Sequence, residues 1–212
     1  MKNRSRALVQ ILGTLLLLGW VPGNGLKTAL LVVLWGLTWG PVRRGALVVF
    51  FMCAILFTTM DALAVRQGVF VFAQPNAWGL PMWETLMWAF FTYHFHHMIQ
   101  GPSPRFDVRI LPLAALFSAC FGIFHTHLPL LAATGTVVAL SLLLFHEPLD
   151  LMYAGYAVLV GTAVEYLGVA RGLWHYPGSP PGGVPFWYIP MWGGIGLYMR
   201  RLGLPLEAKI SV

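Results

Sequence analysis

Asp61–Trp88, DALAVRQGVFVFAQPNAWGLPMWETLMW, decides how the rest of the chain is read, because the chain uses it twice. Shifted by 104 residues without a gap, it lies on Glu165–Trp192. Eight of the 28 positions are then identical: Leu63/Leu167, Val65/Val169, Gly68/Gly172, Gly79/Gly183, Pro81/Pro185, Trp83/Trp187, Met87/Met191 and Trp88/Trp192. Asp61 faces Glu165, Phe70 faces Trp174 and Phe72 faces Tyr176. The shared pattern is a carboxylate, a glycine turn, aromatic-x-aromatic, then Gly-x-Pro-x-Trp opening another apolar run. Self-similarity at a fixed offset takes precedence over any local reading. It implies two repeats, residues 1–104 and 105–212, inside one compact domain.

The composition places both repeats in a membrane. Of 212 residues 58% are hydrophobic and 9% charged, with mean hydropathy +0.73, against roughly 25% charge in soluble domains. A spanning helix needs about 20 mostly apolar residues. Eight stretches qualify: 7–22, 26–42, 45–65, 80–99, 110–126, 128–146, 149–169 and 184–200. The second is the weakest, with 15 residues between Lys27 and Arg43. The expected architecture is therefore all-α and integral to the membrane, two parallel four-helix repeats around a central cavity. An even number of spans per repeat gives both halves the same orientation.

The basic residues orient this bundle. With both termini cytoplasmic, Lys2, Arg4, Arg6, Arg43, Arg44, Arg105, Arg109, Arg200, Arg201 and Lys209 fall inside, and only Lys27, Arg66 and Arg171 outside. Ten against three is the bias expected of a multi-pass protein of the cell membrane. It accounts for the net charge of +6 without a nucleic-acid partner, since the basic residues form no stripe with interleaved polar groups. Apolar runs continue to the end of the chain, so the first is read as a retained span. Cys53 and Cys120 lie within apolar runs and read as small core residues.

Two segments break the helical pattern at matching positions. GVFVFAQPNAWG (68–79) and GLWHYPGSPPGG (172–183) are too rich in glycine and proline to continue a helix. Irregular backbone at membrane depth requires cover, so these segments are expected to form a rim or lid over the outer mouth. The alternative is an ordinary interfacial loop carrying the aromatic belt.

Three carboxylates stand apart from the rest. Asp107, Glu147, Asp150 and Glu207 fall in or beside cytoplasmic loops and read as needing no special account. Asp61, Glu84 and Glu165 fall inside spans at one depth, where ionisable groups are expensive and mark sites; the competing reading is solvation near the interface. Glu84, Trp88 and Phe91 share a helix face, as do Tyr188 and Trp192. An acid kept neutral by apolar surroundings is a proton donor, and aromatic faces stabilise cations. Tyr93-His94-Phe95-His96-His97 has too few ligands for a metal box, and His125 and His127 read as loop histidines. No metal or other cofactor is called for.

Asp61-x-x-Ala64-Val65-x-x-Gly68-x-Phe70-x-Phe72, followed by Gly79-x-Pro81-x-x-Glu84, resembles the half-domain of the membrane lycopene cyclases. Glu165-Tyr166-x-Gly168-x-x-x-Gly172, with Tyr176 and Pro185-x-x-x-x-Pro190, is similar to the carotenoid hydratases of the same superfamily. Small terpene cyclases acting on prenylated indoles and meroterpenoids share this plan of paired acidic helices. The sequence departs at Pro81-Met82-Trp83-Glu84, where lycopene cyclases carry Pro-x-Glu-Glu, and Trp187-Tyr188 replaces both acids in the second copy.

The resemblance implies a proton-initiated, metal-independent terpene cyclase acting on an isoprenoid or prenylated, lipophilic substrate. Asp61 would be the donor, Glu84 its orienting neighbour or base, and Glu165 the cation stabiliser or final base. Trp83, Trp88, Phe91, Trp174, Tyr176, Trp187, Tyr188 and Trp192 would line the substrate cavity, and a prenyltransferase would be a functional partner. The other expectations are a lycopene cyclase or hydratase of that superfamily, and a proton-coupled small-molecule transporter, since paired acids and broken helices also mark transporters.

Overall fold

The computed structural model describes residues 2–39, 42–179 and 182–210. Positions 40–41, at the end of the expected second span, and 180–181, within the second broken segment, lie outside the described residues. The helices are α1 (Lys2–Trp20), α2 (Asn24–Trp39), α3 (Arg44–Arg66), α4 (Met82–Met98), α5 (Ile110–Ile123), α6 (His127–Leu144), α7 (Pro148–Ala170), α8 (Tyr188–Tyr198) and α9 (Leu204–Ile210). A π-helical turn, Met199–Gly203, joins α8 to α9, and β1 (Val71–Phe72) and β2 (Trp174–His175) are two residues each.

The bundle's surface is apolar in a way that fits lipid. Leu12, Leu16, Phe51, Ile55, Leu143 and Leu159 are exposed, while the largest buried side chains include Trp83, Trp187, Trp192 and Arg200. A soluble domain rarely exposes so many large apolar side chains. The chain is a multi-pass helical membrane protein. Among the described residues α3, α6 and α7 are long and apolar enough to cross a bilayer on their own. The remaining expected spans correspond to shorter or more polar helices.

Helices α3 and α7, each of 23 residues, end alike. After α3, Gly68 sits at φ +73°, and the amides of Gly68 and Val69 return to the carbonyls of Val65 (2.9 Å) and Ala64 (3.0 Å). After α7, Gly172 sits at φ +64°, with Gly172 and Leu173 returning to Val169 (3.0 Å) and Gly168 (2.8 Å). Both are Schellman closures, whose left-handed residue favours glycine. Each then feeds a strand, and the strands pair antiparallel, Val71 with His175 and Phe72 with Trp174. The broken segments thus satisfy part of their backbone through each other, which explains extended structure at that end of the bundle.

The opposite end is held by charge. Asp150, with no exposed surface, accepts hydrogen bonds from Arg200 and Arg201, including Arg201 Nε at 2.9 Å. Glu147 caps the start of α7 and takes Arg200 at 2.7 Å and Arg201 at 2.9 Å. This corrects the reading of Asp150 as an unremarkable loop acid. Its partners lie fifty residues away along the chain, beyond any local pattern.

Candidate functional site

Asp61 on α3, Glu84 on α4 and Glu165 on α7 line one cavity, which α8 helps to close with Met191 and Trp192. Each is no more than 5% exposed. Trp83, Trp88, Phe91, Trp174, Tyr176, Trp187 and Trp192 line the same cavity. Phe70, Phe72, Met87 and Met191, which the sequence marks as repeat positions and not as site residues, complete its wall together with Val164, which it does not mark at all. Tyr188 is set apart: its hydroxyl lies 3.2 Å from Thr162 Oγ1 and its ring stands edge-on to Tyr166.

Indole and phenol donors serve the acids. Glu165 receives Trp192 Nε1 at 3.0 Å on Oε1, and Trp174 Nε1 at 3.1 Å together with the Tyr176 hydroxyl on Oε2. Trp88 Nε1 donates to Asp61 Oδ2 at 2.6 Å and also to Glu84 Oε1. Glu84 Oε2 is buried with no partner. Trp88 and Trp192, each bonded to the acids, meet with ring centroids 5.2 Å apart. The free room is ≈ 50 Å³ reachable by the centre of a water-sized sphere, enough for a few waters.

Glycines make this packing possible. A Cβ at Gly168 would stand 1.9 Å from the Trp174 ring, and one at Gly161 would stand 2.1 Å from Trp192. Two of the donors to Glu165 therefore reach it only because α7 is bare at those points.

The histidines turn to separate partners. His94 bridges Gln10 Oε1 (3.1 Å) and the Tyr156 hydroxyl (2.7 Å), His96 lies 3.4 Å from Glu207, and His97 bonds the Tyr93 carbonyl. His127 is no loose loop residue: Trp187 Nε1 donates to its Nδ1 at 3.1 Å, and Ser179 Oγ lies 3.1 Å from its Nε2. It helps anchor a wall of the cavity.

No family model matches the chain, and no curated protein matches it. The fold matches the crystal structure of MvINS, a mycobacterial Insig homologue from Mycobacterium vanbaalenii, at 21% identity and TM-score 0.68, covering 79% of this chain and 97% of that one. A cross-linked cysteine variant of MvINS, solved as a trimer, matches at 20% identity and TM-score 0.67, covering 80% of this chain and 96% of that one. Likeness at this identity speaks to the fold.

These matches correct the family expectation. The fold is shared with an Insig homologue, not with the terpene cyclase, lycopene cyclase or hydratase superfamily that the motifs resemble. The enzymatic reading falls with it, and the cavity gives the physical reason. A cyclase must enclose the whole reacting chain, whereas the room here is ≈ 50 Å³. Glu165, expected as a base, is already committed to three donors. The transporter reading fails as well; beside the acid cavity the rings of Phe91, Phe95 and Trp192 pack against one another. The prenyltransferase pairing has no remaining basis.

Proposed function

We propose that the chain is a non-catalytic membrane protein that holds the hydroxyl end of a lipophilic alcohol in the acid–aromatic cavity, with occupancy serving as a regulatory signal. The observation that carries this reading is the Glu84 carboxyl, which pairs with that of Asp61 and whose Oε2 meets no indole, phenol or backbone donor, in a cavity whose other carboxyl contacts come from fixed indoles and a phenol. A buried unpaired acceptor costs about 1–3 kcal/mol, and one hydroxyl supplies the missing donor. The small cavity takes only the polar end, and the apolar body extends from the mouth into the bilayer. Sterols and linear isoprenoid alcohols both meet this description.

On this reading Asp61, Glu84 and Glu165 are ligand-holding groups, and Trp83, Trp88, Phe91, Trp174, Tyr176, Trp187 and Trp192 form the cage. The eight spans, the two repeats 1–104 and 105–212, and cytoplasmic termini belong to the same proposal. Equal lengths and matching ends of α3 and α7 support the repeats. The continuous helical run from α8 into the π turn, Tyr188 to Gly203, supports the last span. Sided labelling of single cysteines at each end of the bundle tests the orientation.

Binding is tested by quenching of tryptophan fluorescence with cholesterol and farnesol, each beside its acetate ester. The expected result is saturable binding of an alcohol, at least tenfold weaker for its ester and for Glu84→Gln. Equal affinity for alcohol and ester would sink the reading.

A further inference from the structure

A second cleft lies behind the wall of the acid cavity, at the bundle end formed by the α1–α2 turn and the end of α7. It offers ≈ 390 Å³ reachable by the centre of a water-sized sphere, and Trp83 lines both spaces. Its character is opposite to that of its neighbour. Lys27 and Arg171 line it, and its lining contains no Asp or Glu.

Lys27 is 3% exposed. Its Nζ stands 5.2 Å over the Trp83 ring, and among the described residues no carboxylate lies within ion-pair distance of it. The Lys27 side chain is enclosed while it lines the cleft, and a cation placed there without a counter-charge attracts an anion. Arg171 spends Nε on the Gly19 carbonyl and lies 4.8 Å over Trp20, which leaves its two Nη groups for a ligand. Asn24, the first residue of α2, is held by Trp83 Nε1 (2.9 Å), the Gln74 carbonyl (2.6 Å) and Asn76 Oδ1 (2.8 Å). The cleft is thereby preformed, with the positive end of a 16-residue helix at its edge.

We propose that this cleft binds a phosphate group, with Lys27 as the buried counter-cation and Arg171 as the outer clamp. Guanidinium suits phosphate because its planar donors match two oxygens at once. The phosphate source is either the headgroup of an anionic lipid or a free anion. The site is independent of the alcohol proposed for the acid cavity.

The test is isothermal titration of the full chain in neutral detergent with dioctanoyl phosphatidylglycerol, dioctanoylglycerol and inorganic phosphate. Binding of phosphatidylglycerol but not dioctanoylglycerol is expected, weakened at least tenfold in Arg171→Gln and in Lys27→Met. Inorganic phosphate that competes assigns the site to free anions as well; phosphate without effect assigns it to the lipid headgroup. Both support the phosphate chemistry. Equal binding of the two lipids, no binding of either phosphate probe, or unchanged affinity in Arg171→Gln overturns it. Arg171 is exposed, so its variant decides the matter even where Lys27→Met folds poorly. Cholesterol and farnesol binding to Arg171→Gln should equal the wild type, which keeps failure here separate from failure of the alcohol reading.

Discussion

Trp88 donates one indole N–H to two carboxyl groups at once, Asp61 on α3 at 2.6 Å and Glu84 one turn back on its own helix. Removing that hydrogen takes the indole donor from Asp61 Oδ2 and Glu84 Oε1 together, beside a Glu84 Oε2 that already lacks a partner. Trp88→Phe should therefore lower stability by about 2–4 kcal/mol. Trp192→Phe should cost about 1–2 kcal/mol, since Glu165 keeps Trp174 and Tyr176. Thermal unfolding in detergent compares the two. A Trp192 variant weaker than the Trp88 variant would contradict the shared-donor account.

Bare positions on α7 give a second prediction. Alanine at Gly168 or Gly161 would drive a methyl into the Trp174 or Trp192 ring, and neither ring can retreat without leaving Glu165. Each substitution should cost about 1–3 kcal/mol or more from overpacking. Gly155 is on the same helix with open space around its Cβ position. Gly155→Ala should be neutral or stabilising by up to about 1 kcal/mol. Melting temperatures of the three variants settle the comparison.

What the sequence made legible was local or periodic. Asp61, Glu84 and Glu165 stood out because a carboxylate inside an apolar span needs a reason, and they do line one cavity. The glycine turns at 68 and 172 were visible as breaks, but their strand pairing depends on helices that approach only in the folded bundle. Asp150 is inconspicuous in the sequence, because its value comes from Arg200 and Arg201 across the fold. Lys27 read only as a span boundary, since burial over Trp83 leaves no trace in local composition. Function was the least legible: the same acid–aromatic motif serves a chemistry the cavity has no room for.

A pH response is expected at α9, outside the spanning helices. Glu207 lies 3.4 Å from His96, and the hydrogen bond from that ring holds its carboxyl below its ordinary value of 4.5, against the opposing effect of burial. A depressed carboxyl contributes its stability fully above the ordinary value and loses it as pH falls through the lower folded value. Docking of α9 should thus be constant near neutrality and weaken below about pH 4.5. Hydrogen exchange over residues 204–210 reads it directly. Protection that does not fall on acidification, or a Glu207→Gln variant with the same acid step, would refute the role.

The ion-pair end makes the last prediction, and its sign separates two accounts of buried charge. Arg200 is 1% exposed and Arg201 6%, and the π turn at Met199–Gly203 presents both to Asp150. Removing the acid alone leaves two buried guanidinium groups with only the half-exposed Glu147 for compensation. Asp150→Ala should therefore cost about 3–5 kcal/mol and reduce the yield of folded protein. Replacing all three charges, as Asp150→Leu with Arg200→Met and Arg201→Met, removes the desolvation penalty together with the attraction. That triple variant should be more stable than Asp150→Ala by at least about 2 kcal/mol. Denaturation of both variants in the same detergent provides the measurement. A triple variant no more stable than the single one would mean that the network contributes net stability beyond charge neutralisation, through geometry that apolar side chains do not reproduce.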